Sequence, residues 1–300
     1  MEKNVKISPL SGKEIATMAE YGYHNYKYLK KFLKIIGLIM VIIVAIILYL
    51  SIFIIFIYSV NSSRSTTNFE SFTLKWYFKI TEHKMLKDAI VNTFILSISA
   101  TLISTILGTL IAIGIHAGNK KLRKHIMLLN NIPLLNADIV TGISLMLIFS
   151  LLLKIFPYIF GFPTLLIAHV YFTLPYVILN VLPKLSDIDP NLMDAALDLG
   201  VKPRKALFKV LLPSIRTGIL SGMLMAFTMS FDDFVISYFT TGNGFDNLSI
   251  WIYGSIGRKD LTPSVYAFNS IVIFGAMMIL IVANIISIKN KKRKEQYEKK

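Results

Sequence analysis

Long apolar runs alternate with short polar or basic segments along this chain. Residues 35–60 hold no Asp, Glu, Lys or Arg in 26 positions, a helix of about 39 Å against a bilayer hydrocarbon core of about 30 Å. A cleavable leader has a much shorter apolar region and a small-residue cleavage site, so this run reads as a permanent span. A second span follows over 88–117, rich in Ser and Thr with Gly108 and Gly114, residues that favour close helix packing in lipid. The next run, 126–153, is interrupted by Asn130, Asn131, Pro133, Asn136 and Asp138. It reads as a helical approach, a break near Pro133, and the third span proper. Further spans are expected over 163–183, with Pro175 as a kink, over roughly 214–240, and over 264–288. The pattern predicts an all-α integral membrane protein with six transmembrane helices. Residues 1–34 form a basic lead-in, 35–288 the six-helix domain and 289–300 a charged tail.

One polar stretch separates the fourth and fifth apolar runs, and its local signals are dense. Asp189 before Pro190 marks a helix start. Leu192, Ala195, Ala196 and Leu199 then recur at helical spacing, with Asp194 and Asp198 on another face. Gly200 is the natural left-handed terminator and Pro203 permits a fresh start. A second short helix leads into the next span at Pro213, and the small Ala195 and Ala196 leave room for a close docking contact. The external segments read differently. Trp76 and Tyr77 in the first loop, and Trp251 and Tyr253 in the last, suit a membrane–water interface. Gly242 and Gly244 read as turn residues.

Charge fixes an orientation. The net charge is +15, which spread over one surface would suggest nucleic acid or anionic lipid. Its distribution argues for topology instead. With both termini on one side, 24 of the 32 Lys and Arg fall on that side and 8 on the other, the asymmetry of cytoplasmic against external loops. The stretch around Gly200 is thereby cytoplasmic, and no nucleic acid is implied. The chain has no Cys, which excludes disulfides and thiolate metal sites.

Ionisable groups within a bilayer are costly and mark a pathway or a pair. Asp138, Asp232 and Asp233 are the acidic residues inside otherwise apolar runs, and they suit a cation. On a continuous helix adjacent residues diverge by about 100°. Asp233 would then share a face with Ser230, Ser237 and Thr240 and point to the lumen, while Asp232 would be structural. Phe231, Phe234 and Tyr238 could offer ring faces to an ammonium group. A satisfied interhelical hydrogen bond or a helix-break cap remains open for each Asp. His116, His125 and His169 are isolated and lack metal-ligand spacing.

Asp194-Ala195-Ala196, Gly200 and Val210-Leu211-Leu212-Pro213 resemble the EAA loop of ABC-transporter permeases, with Asp194 where that family usually has Glu. Asn61-Ser62-Ser63-Arg64, Phe72–Tyr77, Asp138-Ile139-Val140 with Gly142–Leu145, and Ser230–Ser237 with Thr240-Thr241-Gly242 are similar to spermidine/putrescine permease subunits. The long basic lead-in is a departure from them. The resemblance implies a type I importer in a bacterial cell membrane, with both termini cytoplasmic. Its partners would be a second permease, two ATPase subunits and an extracytoplasmic polyamine-binding protein. In that scheme residues 184–213 form a coupling loop whose helix is seated in the ATPase through Asp194, Ala195, Ala196, Gly200 and Pro213, and Asp138, Asp232, Asp233 and Tyr238 line the substrate path. No cofactor is implied in this chain. It has no G-x-x-x-x-G-K-[ST] loop, so ATP would be bound and hydrolysed by a partner. Another substrate (an amino acid, thiamine or iron) and an autonomous channel or secondary transporter stay open. A membrane enzyme would need a catalytic constellation that is not visible.

Overall fold

The computed structural model describes residues 12–64, 68–189, 191–242, 244–257, 263–278, 281 and 285. It is helical throughout, with one isolated antiparallel bridge, Asn61 to Phe72, as the β pairing among these residues. In order the helices are α1 Gly12–Ser59, α2 Lys75–Glu82, α3 Lys84–Ala117, α4 Lys120–Leu135, α5 Asp138–Leu152 and α6 Phe162–Ser186. Then come α7 Asn191–Asp198, α8 Pro203–Ala206, a π-helical turn at Leu207–Leu211, α9 Leu212–Ser214, α10 Arg216–Asp232, α11 Val235–Thr240 and α12 Leu248–Gly257. An apolar helix, α13, covers Ser264–Met278. The expected tail and the end of the sixth apolar run lie outside the described residues.

Among the described residues three helices are long and apolar enough to cross a membrane: Tyr28–Ser59 within α1, α3 and α6. Two further candidates are bent pairs. Arg123–Leu135 meets Asp138–Leu152 at 101°, and Pro203–Ser214 meets Arg216–Asp232 at 70°. The first break was expected at Pro133. That residue instead lies inside α4, and the chain turns at Asn136–Ala137, where the Asn136 amide donates to the Thr141 hydroxyl at 3.0 Å. The run expected as one span over 214–240 is also broken, after Asp232.

The described chain divides into two compact units, one of residues up to Tyr77 with those from Tyr266 on, the other Phe78–Val265. In the first, α1 runs unbroken for 48 residues, so from Gly12 the lead-in continues the first span's helix. Asn61 organises the loop that follows. Its side-chain amide donates to the Asn68 carbonyl at 2.8 Å, and its side-chain oxygen accepts from the Ser63 and Glu70 amides. The Trp76 indole N–H donates to the Asn61 carbonyl at 2.6 Å. Trp76 is therefore 3% exposed, a plug for its own loop. The Tyr77 hydroxyl bonds Ser59 and Ser270 at 2.9 and 2.8 Å.

The second unit is built on α3, α6 and α10. Burial selects their small faces: Ala112, Val177, Ile178, Val181 and Ala226 form a common core, and Ser104 bonds Thr173 across α3 and α6 at 2.7 Å. Val177 is the pivot. A Cβ added at Gly108 would lie 2.8 Å from its side chain, and one added at Gly222 would lie 3.1 Å from its Cα. Packing in lipid gains from such backbone approach, because lipid tails are as apolar as the side chains they would replace. Gly222→Leu must push α10 off the α6 backbone. It is expected to lower the thermal midpoint of the purified complex by several degrees; an unchanged midpoint would mean that α6 and α10 do not need this contact.

Candidate functional site

The break after Asp232 creates the site. Asp233 leaves the helix with φ −68° and ψ 130°, and its carboxylate turns forward to accept the Ile236 and Ser237 amides at 3.3 and 2.7 Å. An Asp that satisfies the free amides of the next helix competes with continuation of the last one. The premise of a continuous helix, on which the lumen face of Asp233 rested, is thus replaced. Asp233 caps α11 and is largely buried, while Asp232, at the end of α10, is exposed.

Beneath this break lies a cavity of about 310 Å³ lined by Asp138, Asp232, Asp233, Phe172, Tyr176 and Phe234, among others. Asp138 reaches it because the 101° bend starts α5 at that residue. Its carboxylate sits in the first turn, where the helix dipole favours negative charge. Neither Asp138 nor Asp232 has a hydrogen-bond or ion-pair partner among the described residues. Three acids, Asp138 and the adjacent Asp232 and Asp233, are thus brought to one cavity, two of them unpaired among the described residues. Tyr238 does not line it. Its ring lies on the exposed side of α11, 5.6 Å from both Phe234 and Tyr253 between centroids.

Sequence reasoning missed a buried polar cluster beside the cavity. His169 is fully buried; Nδ1 lies 2.7 Å from the Ser230 hydroxyl and Nε2 2.9 Å from the Ser237 hydroxyl. The Asn247 amide donates to Ser237 at 2.9 Å, and the Asp233 carboxylate is 3.7 Å from Nε2. The signal available was Ser230 and Ser237 on either side of two adjacent acids, but their partner is 61 and 68 residues away in sequence.

The polar stretch between α6 and α10 folds as a helix–turn–helix. The Asp189 side chain accepts the Asn191 amide at 2.9 Å. Gly200 has φ +79°, its amide bonds the Leu197 carbonyl at 2.9 Å, and the Val201 amide bonds the Ala196 carbonyl at 3.1 Å. These two bonds make a Schellman turn, which requires the left-handed residue at Gly200. Asp194 and Ala195 are exposed, whereas Ala196 is buried together with Ala206 where α7 packs on the second helix. Its small side chain serves the fold of this element, and Leu192, Leu197 and Leu199 remain outward. Pro213 has no amide for the Lys209 carbonyl, and the turn before it widens to the π form.

The sequence from residue 104 to 291 matches the family described as binding-protein-dependent transport system inner membrane component. The chain is 30% identical over 227 residues to the spermidine/putrescine transport system permease protein PotC of Escherichia coli, covering 75% of this chain and 84% of that one. It is 31% identical over 222 residues to the putrescine transport system permease protein PotI of the same organism, covering 73% and 78%. Against a PotC homolog of Mycoplasma genitalium it is 31% identical over 206 residues, covering 69% and 72%.

Proposed function

Since the chain belongs to the family of binding-protein-dependent transport system inner membrane components, we propose that it is the permease subunit through which a polyamine crosses the membrane. It is a membrane subunit and not an enzyme. The observation that carries the substrate class is the pair of unpartnered carboxylates, Asp138 and Asp232, on one cavity. An acid in a bilayer without a partner is stabilised by a passing cation, and the aromatic faces of Phe172, Tyr176 and Phe234 add attraction for ammonium groups. The relatives named for spermidine and putrescine transport agree with this chemistry. Uptake of labelled spermidine by the assembled transporter in proteoliposomes, competed by putrescine and not by neutral amino acids, is the expected result. Competition by amino acids alone would remove the polyamine reading.

The path is completed by a second permease, an external binding protein delivers the substrate, and two ATPase subunits supply the closure. In this reading Asp232 and Asp138 attract the cation, Asp233 holds the break that presents Asp232, and Tyr238 belongs to the mouth of the path. The α7–Gly200 element is the coupling helix, with Leu192, Ala195, Leu197 and Leu199 as its docking face. Pro213 joins it to the span that begins at α10.

The proposed topology has six spans with both termini cytoplasmic. It rests on the charge asymmetry, on counting each bent pair as one span, which with the three long helices gives five, and on the apolar run 264–288 as the sixth. Two exposed positions test it in this chain without Cys: Tyr158, 94% exposed in the turn after α5, and Leu199, 84% exposed beside Gly200. An impermeant thiol reagent is expected to label Tyr158→Cys in intact cells and, in cells lacking the ATPase subunits that would cover it, Leu199→Cys only after permeabilisation. Labelling of Leu199→Cys from outside would reverse the orientation.

A further inference from the structure

We propose that His169 is a positioning residue for cation transfer: its buried ring clasps the two sides of the helix break and so holds Asp232 toward the cavity. The inference rests on the cavity reading above and adds a residue that touches no substrate.

Ser230 belongs to the last turn of α10 and Ser237 to the first turn of α11. One imidazole bonds both, at 2.7 and 2.9 Å. Between the two serines the chain leaves helical geometry, and Asp232 is the last residue before it does so. The clasp therefore sets the angle between α10 and α11 from within α6, across a gap that no backbone hydrogen bond of a continuous helix could span.

Its hydrogen bonds also define one proton arrangement. Ser237 accepts from the Asn247 amide. The Asp233 carboxylate, 3.7 Å from Nε2, favours a proton on that nitrogen. Nε2–H then donates to the Ser237 oxygen, and Nδ1 accepts from the Ser230 hydroxyl. Both ring nitrogens are then satisfied, as burial demands. The backbone carbonyl of His169 accepts from the Thr173 hydroxyl at 2.6 Å. One turn on, Phe172 lies 5.2 Å from the imidazole between ring centroids and forms part of the cavity wall. His169 thus supports the cavity from two sides, through the break and through Phe172.

The test is a double-mutant cycle in the assembled transporter in proteoliposomes, reading spermidine uptake per ATP hydrolysed. His169→Ala is expected to lower this ratio about tenfold at normal complex recovery, and His169→Ala with Asp232→Asn to fall no lower than Asp232→Asn alone, because residues acting through one group are not additive. A purely structural role would lower recovery and leave the ratio in the assembled fraction unchanged. If His169→Ala does not assemble, Ser230→Ala, which keeps the Ser237 bond, takes its place in the cycle with the same non-additivity expected. Losses that multiply in the double variant would overturn the positioning role while leaving the cavity reading intact. Full uptake by Asp232→Asn alone would remove the cavity reading, and the positioning role with it.

Discussion

Asp232→Asn is expected to reduce spermidine uptake by about tenfold or more, because it deletes one of the two unpaired charges that offset the cost of a polycation shedding water in a bilayer. Subunit recovery and basal ATP hydrolysis should stay normal, since Asp232 has no bonding partner among the described residues and Asn keeps its shape. Asp233→Asn should behave in the opposite way. Its carboxylate accepts two amides at the start of α11 and faces the His169 ring. An amide has one oxygen for that task and places an NH₂ group against a donor, so complex recovery should fall first. Parallel assays of recovery and uptake separate the two positions. Normal uptake by Asp232→Asn at native subunit levels would take this acid off the path.

That pair of outcomes reverses the roles a continuous helix would assign, and the reason lies in what a sequence displays. The apolar runs, the charge asymmetry and the Asp-rich stretch ending at Gly200 are local or compositional, and each was legible. So was Gly200 itself, because a left-handed terminator after four helically spaced small or apolar residues has few alternatives. The break after Asp232 is also locally encoded, by an Asp whose side chain can cap the residues after it, yet Asp232 and Asp233 are chemically identical. Which of them caps and which is left unpaired on the cavity depends on His169, Ser230, Ser237 and Asn247, contributed by three separate segments. Pattern could not reveal that cluster. Ala196 gives the same lesson on a smaller scale: its size signalled close contact, and it is already buried within the subunit itself.

Gly200→Val is expected to uncouple the transporter, lowering uptake and binding-protein-stimulated ATP hydrolysis together while the subunit still reaches the membrane. The cause is conformational and not a collision. A Cβ at Gly200 meets nothing within 4 Å, but the backbone sits at φ +79°. That region costs an ordinary residue about 1–2 kcal/mol, and a β-branched one is worse placed there. The helix it terminates, α7, has only 8 residues, too short to persist without its end contacts. Losing the two turn bonds to Leu197 and Ala196 would fray its last turn and displace Leu197 and Leu199, the outward apolar groups proposed to dock in the ATPase. Gly200→Asn supplies the control, since Asn tolerates the left-handed region far better than Val and should retain most coupled activity. Equal loss in both variants would point to crowding at the docked surface. Normal coupling in Gly200→Val would separate this turn from ATPase-driven transport.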